Sequence, residues 1–176
     1  SGAALPTIDQ DFNPPLAIAD LRGLYGQRPK AKLAERAAEE SLATGEKLST
    51  LASLHGFTYP AGELRGGWNK VLFNHSHDGM GGSHIDSVYL DAMSRYGGAI
   101  EAGRDAAAEA FYTLSRAIDT SSGGGYPFLV FNPLSFRRTE LVRHNALFRD
   151  KLNNFRVTDH TGAPVPFRVV AANRSK

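Results

Sequence analysis

From Pro29 onward, apolar residues recur at steps of three and four. Leu33, Ala37, Ala38, Leu42, Leu48, Leu51, Ala52 and Leu54 form one stripe, while Lys30, Glu35, Arg36, Glu39, Glu40, Glu46 and Lys47 occupy the other face. This period predicts an amphipathic helix of roughly seven turns, stopped by Gly56 after His55. A second helix is expected from Gly62 to Phe73, with Leu64, Trp68, Val71 and Leu72 as its stripe and Pro60 just outside its start. The third and longest carries Ile85, Tyr89, Ala92, Tyr96, Ala99, Gly103, Ala107, Ala110, Leu114 and Ile118. Such a seam requires partner helices on one side. Ser83 is its expected N-cap, with Asp86 three residues later to support the first turn. Gly97, Gly98 and Gly103 weaken its middle and allow close helix approach.

The helical period ends at Thr120-Ser-Ser-Gly-Gly-Gly125, which reads as a flexible linker. Beyond it the pattern becomes short β-type runs: Pro127–Asn132, Thr139–Arg143, Asn154–Asp159 and Val165–Val170. The turn sequences Asn132-Pro-Leu-Ser135 and Asp159-His-Thr-Gly162 separate them. The first 27 residues, broken by Pro6, Pro14 and Pro15, form an irregular lead-in. The expected fold is therefore mainly α with β at the C-terminal end: a three-helix bundle followed by the opening strands of a β-sandwich. Its divisions are 1–27 (lead-in), 28–120 (bundle), 121–125 (linker) and 126–176 (start of the β domain). No initiator Met or signal-peptide pattern opens the chain, and a strand-like run stops at Asn173-Arg-Ser-Lys176, so a piece of a larger protein is expected.

Composition narrows the function. The 176 residues are 41% hydrophobic and 22% charged, enough apolar content to form a core and exclude disorder as the main state. No apolar run is long enough for a membrane helix. With no cysteine, disulfides, Cys-ligated metals and thiol nucleophiles are excluded, while the compartment stays open. The pI of 9.0 rests on a surplus of two charges. The densest basic group, Arg28-Pro-Lys30-Ala-Lys32, is too small for a nucleic-acid footprint, so no nucleic-acid partner is expected.

One segment concentrates chemistry. Phe73-Asn-His75-Ser-His77-Asp78-Gly-Met-Gly81-Gly82-Ser83-His84 holds three of the six histidines within ten residues, beside a carboxylate. Imidazole and carboxylate are the ligands a zinc-type ion takes where cysteine is absent. His75 and His77, two apart, would diverge on one helix, and no His-x-x-x-His spacing occurs. By spacing alone, a loop of hydrogen-bonding histidines and a metal site of one or two local ligands are equally supported. His84, Asp86 and Asp91 are the nearby candidates, the two aspartates being better explained as helix cap and solvated face. Gly79-Met-Gly81-Gly82-Ser83 lacks the Lys of a P-loop, and neither a nucleophile elbow nor a triad is present. The sequons at Asn74 and Asn173 read as too enclosed and too near a chain end, respectively. Trp68 is assigned to the core, and Tyr25 remains open as a sugar-stacking platform.

The order of these pieces resembles the class II α-mannosidases of glycoside hydrolase family 38. Gly23-Leu-Tyr25-Gly-Gln-Arg28-Pro29 is similar to the lead-in to that family's helical middle domain. Tyr59-Pro60-x-x-Glu63-Leu64 and Trp68-x-x-Val71-Leu72 follow, then Asn74-His75-Ser76-His77-Asp78 with Gly82-Ser83, then Val88-Tyr89-x-Asp91-Ala92 and Tyr96. Phe128-Leu-Val-Phe131-Asn132-Pro133-Leu134-Ser135-Phe136-x-Arg138 resembles the start of the C-terminal β domain. The likeness covers about residues 21 to 168. It implies a retaining, zinc-dependent hydrolase of terminal α-mannosides or mannose-containing glycans. In such an enzyme His77 is one ligand of a single zinc ion and Asp78 binds mannose hydroxyls. The remaining ligands, the nucleophile and the general acid belong to an N-terminal catalytic barrel of the same protein, so this chain carries no catalytic residue and is expected to be inactive alone. Gln27, Ser76 and Met80-Gly81 depart from the family's usual residues and leave the particular mannoside open. Two other classes compete: a non-catalytic glycan-binding module, and a structural helical scaffold in which the histidines carry no function.

Overall fold

A computed structural model describes residues 23, 26–121, 125–148 and 154–171. Most of the expected lead-in, Tyr25, residues 122–124 of the expected linker and the Asn173 sequon lie outside the described residues. The chain divides into two compact units, Ser1–Ser135 and Phe136–Lys176.

The first unit contains four helices: α1 (Pro29–Ser53), α2 (Ala61–Asn74), α3 (His77–Gly81) and α4 (Asp86–Arg116). Each of the three long helices packs on the other two, α1 against α4 most extensively. Pairings such as Trp68 with Glu46 and His75 with Glu35 show that α2 runs antiparallel to α1. Arg28 meeting Asp86 shows that α1 and α4 run parallel. None of the helices among the described residues is long and apolar enough to cross a membrane.

Pro29 starts α1 because its fixed φ suits the first helical position and its missing N–H is not needed there. The backbone stop after α1 comes at Gly56, in the left-handed region with φ 86°, as the sequence pattern predicts. The buried seam differs from the expected stripe. On α1 it is Ala31, Glu35, Ala38, Leu42, Gly45, Leu48, Ser49 and Ala52, whereas Leu33, Leu51 and Leu54 are exposed and Glu35 leaves the polar face for the interior. On α4 it is Ala92, Tyr96, Ala99, Gly103, Ala106 and Ala110, with Ile85 and Ile118 exposed.

The reason is the distance between the helices. A Cβ on Gly45 would meet the Gly103 carbonyl oxygen at 2.8 Å, and one on Gly103 would collide with the backbone of Ser41 and Leu42. Helices that touch backbone to backbone need small residues on the seam, and leucines rotate to its margins. Leu42, Leu64 and Val71 fill the remaining space as the largest fully buried apolar side chains. Each contributes about 1.5–3 kcal/mol by burial. A smaller cluster of Leu48, Ala52 and Ala110, flanked by Phe57, Phe111 and Leu114, closes the far end. Trp68 packs on the main core as expected and donates its Nε1–H to Glu46 Oε1 at 2.8 Å.

Two local expectations are corrected. Ser83 does not cap α4. Ile85 holds the N-cap position without a side-chain hydrogen bond, and the Ser83 hydroxyl instead turns to Asp78. The segment between α2 and α4 contains the one-turn helix α3, which the sequence pattern does not announce.

In the described residues after α4, none of the four expected strands forms. Only an isolated antiparallel bridge joins Thr158 to Pro164, across a turn in which the Asp159 carboxylate accepts from the backbone N–H of Thr161 and Ala163. A strand exists only through its neighbour's hydrogen bonds. The side chains of Val130, Leu141 and Val170 in these runs are exposed.

The α1–α4 contact generates a direct test. Gly103→Val should destabilise the helical unit by about 1–3 kcal/mol or more, the usual range for overpacking. Gly97 lies on the same helix with open space around its Cα. Gly97→Ala should therefore stabilise by roughly 0.5–1 kcal/mol. Thermal denaturation followed by circular dichroism at 222 nm measures both; equal effects would disprove the backbone contact.

Candidate functional site

The site lies at the end of the bundle where α1 starts, α2 ends and α4 starts. The final residue of α2, Asn74, is buried, and its Nδ2 donates to the Ala92 carbonyl at 3.1 Å, anchoring α2 to α4. That amide is already engaged inside the protein, in keeping with an enclosed sequon. His75 follows as the C-cap of α2 and turns toward α1, where its Nε2 lies 2.7 Å from Glu35 Oε1 and 4.0 Å from Glu39 Oε1.

Ser76 then starts a new helical turn, its hydroxyl accepting from the Gly79 N–H at 3.2 Å. Gly79 is required at this position because a Cβ there would collide with the Asn74 carbonyl. Because Ser76 ends one helix geometry and begins another, His75 and His77 face different surroundings. His77 Nε2 lies 3.6 Å from Asp78 Oδ2, and the two side chains are 94% and 73% exposed. Ser83 Oγ donates to Asp78 Oδ1 over a long 3.4 Å. An imidazole and a carboxylate are thus offered outward together, side by side on one turn.

Below this turn, Met80 packs over Tyr96, whose hydroxyl points at the Met80 sulfur at 3.9 Å. Burial, and next the nearby Glu35 carboxylate, push the Tyr96 phenol up to about 12. His84 faces the opposite way, its ring stacked on Tyr89 with centroids 6.3 Å apart. Asp86 pairs with Arg28 at 2.8 Å and Asp91 is exposed, so neither joins His77.

Among the described residues, Glu35, Glu39 and His75 form a cluster whose donor atoms lie within 4.8 Å of one another. Sequence reading missed it, because Glu35 and Glu39 sit among six other charged residues of α1. Their i, i+4 spacing was the available signal, since it places both on one helix face. As they stand, His75 and Glu35 are closer together than two ligands of one zinc ion. Two ligands at zinc distances are separated by about 3.3 Å around a tetrahedral ion, wider than the 2.7 Å between His75 and Glu35. That shorter distance is a hydrogen bond, and it satisfies a carboxylate that is only 12% exposed.

Residues 20–114 match the family model described as the alpha mannosidase middle domain. The chain is 32% identical over 122 residues to alpha-mannosidase 2C1 of Mus musculus and 30% identical to that of Homo sapiens. In both cases the match covers 68% of this chain and 11% of the relative, so the chain spans about a ninth of those proteins. No solved structure matches it.

Two predictions follow from the geometry. His75→Ala should cost about 1–3 kcal/mol in urea denaturation, because it strands a largely buried carboxylate. His77→Ala, at an exposed position, should stay within about 0.5 kcal/mol. Because folding raises the phenol of Tyr96 above its ordinary value of 10, the neutral ring contributes stability in full below pH 10. That contribution is lost as pH rises toward about 12. Tyr96→Phe should flatten this alkaline loss, measured as the unfolding midpoint between pH 9 and 12.

The matched middle domain spans α1, α2 and nearly all of α4, and the chain belongs to the class II α-mannosidases of glycoside hydrolase family 38.

Proposed function

We propose that this chain is the middle part of a retaining, zinc-dependent α-mannosidase that removes terminal α-mannose, and that His77 and Asp78 are its contribution to the sugar-binding site. The observation that carries the reading is the pair itself. The family's His-Asp motif falls on two side chains that the bundle leaves exposed and adjacent, while the neighbouring His75 is hydrogen-bonded to Glu35 of α1.

The donor chemistry fits a partial metal site. His77 offers one imidazole nitrogen, whereas zinc takes about four donors; it therefore suits one ligand of a centre completed by residues elsewhere in the protein. When bound, zinc supplies Lewis-acid charge at vicinal sugar hydroxyls. Asp78 accepts hydrogen bonds from mannose hydroxyls, and the Ser83 hydroxyl, 3.4 Å from its Oδ1, biases the carboxylate's rotation. Asp78 is the lone carboxylate on this turn, and it cannot serve both as nucleophile and as general acid of a retaining mechanism. Both roles are assigned to the catalytic barrel, and this chain alone is inactive. Residues 28–120 make up the helical domain and 121–125 the linker. Residues 126–176 open a β domain, a reading supported by their exposed apolar runs and the bridge at Thr158.

The test is zinc content and 4-nitrophenyl α-mannoside hydrolysis of the full-length protein. His77→Ala should lower both, turnover by roughly 100-fold or more, since it removes a metal ligand. Asp78→Asn should keep zinc and lower kcat/KM about 10- to 100-fold through weakened charged hydrogen bonds. Full zinc and unchanged turnover in His77→Ala would instead identify the bundle as scaffold.

A further inference from the structure

The segment from His75 to His84 is held at both ends by α1. At its start, Glu35 receives His75. At its end, the Arg28 guanidinium donates from Nη2 to the His84 carbonyl at 3.0 Å and to Asp86 Oδ1 at 2.8 Å, and lies 4.6 Å from the centre of the Tyr89 ring. Between these ends, Gly82 sits directly against Arg28: a Cβ there would lie 3.4 Å from Arg28 Cγ.

Arg28 itself is unusual. Its φ of 47° and ψ of 55° place it in the left-handed region, the one non-glycine residue there among the described residues. A long side chain is disfavoured in that conformation and persists where the surroundings over-determine it. Here they do so through three simultaneous interactions of one planar group. A lysine ammonium, a point charge without the fork or the flat face, cannot reproduce them together.

All three contacts fall on residues 84–89, immediately after Ser83, whose hydroxyl reaches Asp78. We infer that Arg28 is a positioning residue: by fixing the His84 carbonyl it holds Ser83 against Asp78 and sets the sugar-binding carboxylate. The inference rests on the proposed role of the His77–Asp78 turn and adds to it a control point on a different helix.

The test uses the full-length protein with Arg28→Lys, Ser83→Ala, the double variant and His77→Ala. Arg28→Lys should raise KM for 4-nitrophenyl α-mannoside about tenfold with a much smaller change in kcat. It should also speed backbone amide exchange across residues 77–84 about tenfold while leaving 92–106 unchanged. Ser83→Ala, which touches none of the Arg28 contacts and keeps the fold testable if Arg28→Lys is unstable, should give a similar rise in KM. The double variant should be little worse than either single one, because both break the same connection. Additive KM effects, or an unchanged KM in Arg28→Lys, would overturn the inference even where His77→Ala abolishes activity. Should His77→Ala leave zinc and turnover intact, the proposed function falls and takes the catalytic meaning of the brace with it. The exchange data still report separately whether Arg28 orders the turn.

Discussion

The structure depends on one close approach. α1 and α4 meet at Gly45 and Gly103, where either glycine's missing Cβ would run into the opposite backbone. Because the two helices are parallel and held this tightly, their starts are brought together as well. Arg28 therefore meets Asp86 and Tyr89 across the gap. The eleven residues between α2 and α4 must then pass through the space these starts leave. A one-turn helix with glycines at positions 79, 81 and 82 is how the chain makes that passage. The site geometry is set by a contact that itself contains no chemistry.

The same constraint sorts the histidines. His75 closes α2 on the side facing α1 and finds Glu35, which the seam has drawn inward. Two residues later the backbone has begun a new helix, and His77 points to solvent with Asp78. An imidazole whose Nε2 is hydrogen-bonded to a buried carboxylate is tied to α1 and does not turn freely toward a ligand. One that is nearly fully exposed gives up only water. The difference in surroundings between the two follows from the helix break at Ser76, not from any difference in residue type.

The spans of α1, α2 and α4 were legible because their periodicity is long, with Pro29 and Gly56 bounding α1 and Pro60 preceding α2. The register of burial was not. A seam of alanine and glycine does not stand out in a pattern that weights leucine, so Leu33, Leu51 and Leu54 were expected inside and lie outside. α3 has five residues, too few for a period to show. Glu35 is chemically a surface residue, and its place on the buried seam is made tolerable by a partner, His75, that arrives from the end of α2. The C-terminal runs have strand composition, but a strand's stability lies in a pairing partner, and composition does not reveal whether one is present. The motif around His77 was legible through resemblance, while its geometry, including the hydroxyl of Ser83, required three dimensions.

Under the proposed function the helical domain lends a single ligand and a single carboxylate to a site, a role with a demanding tolerance. A misplacement of about 1 Å can cost 100-fold in an enzyme, yet His77 and Asp78 are exposed on a short turn, with few contacts of their own. Rigidity has to come from what lies behind them. Asn74 ties the preceding residue to α4, Met80 rests on the buried Tyr96, and Arg28 and Glu35 hold the two ends from α1. Each support comes from one of the long helices, and none comes from the exposed side. The outward face of the turn is consequently left free for ligands, and its order is supplied from within.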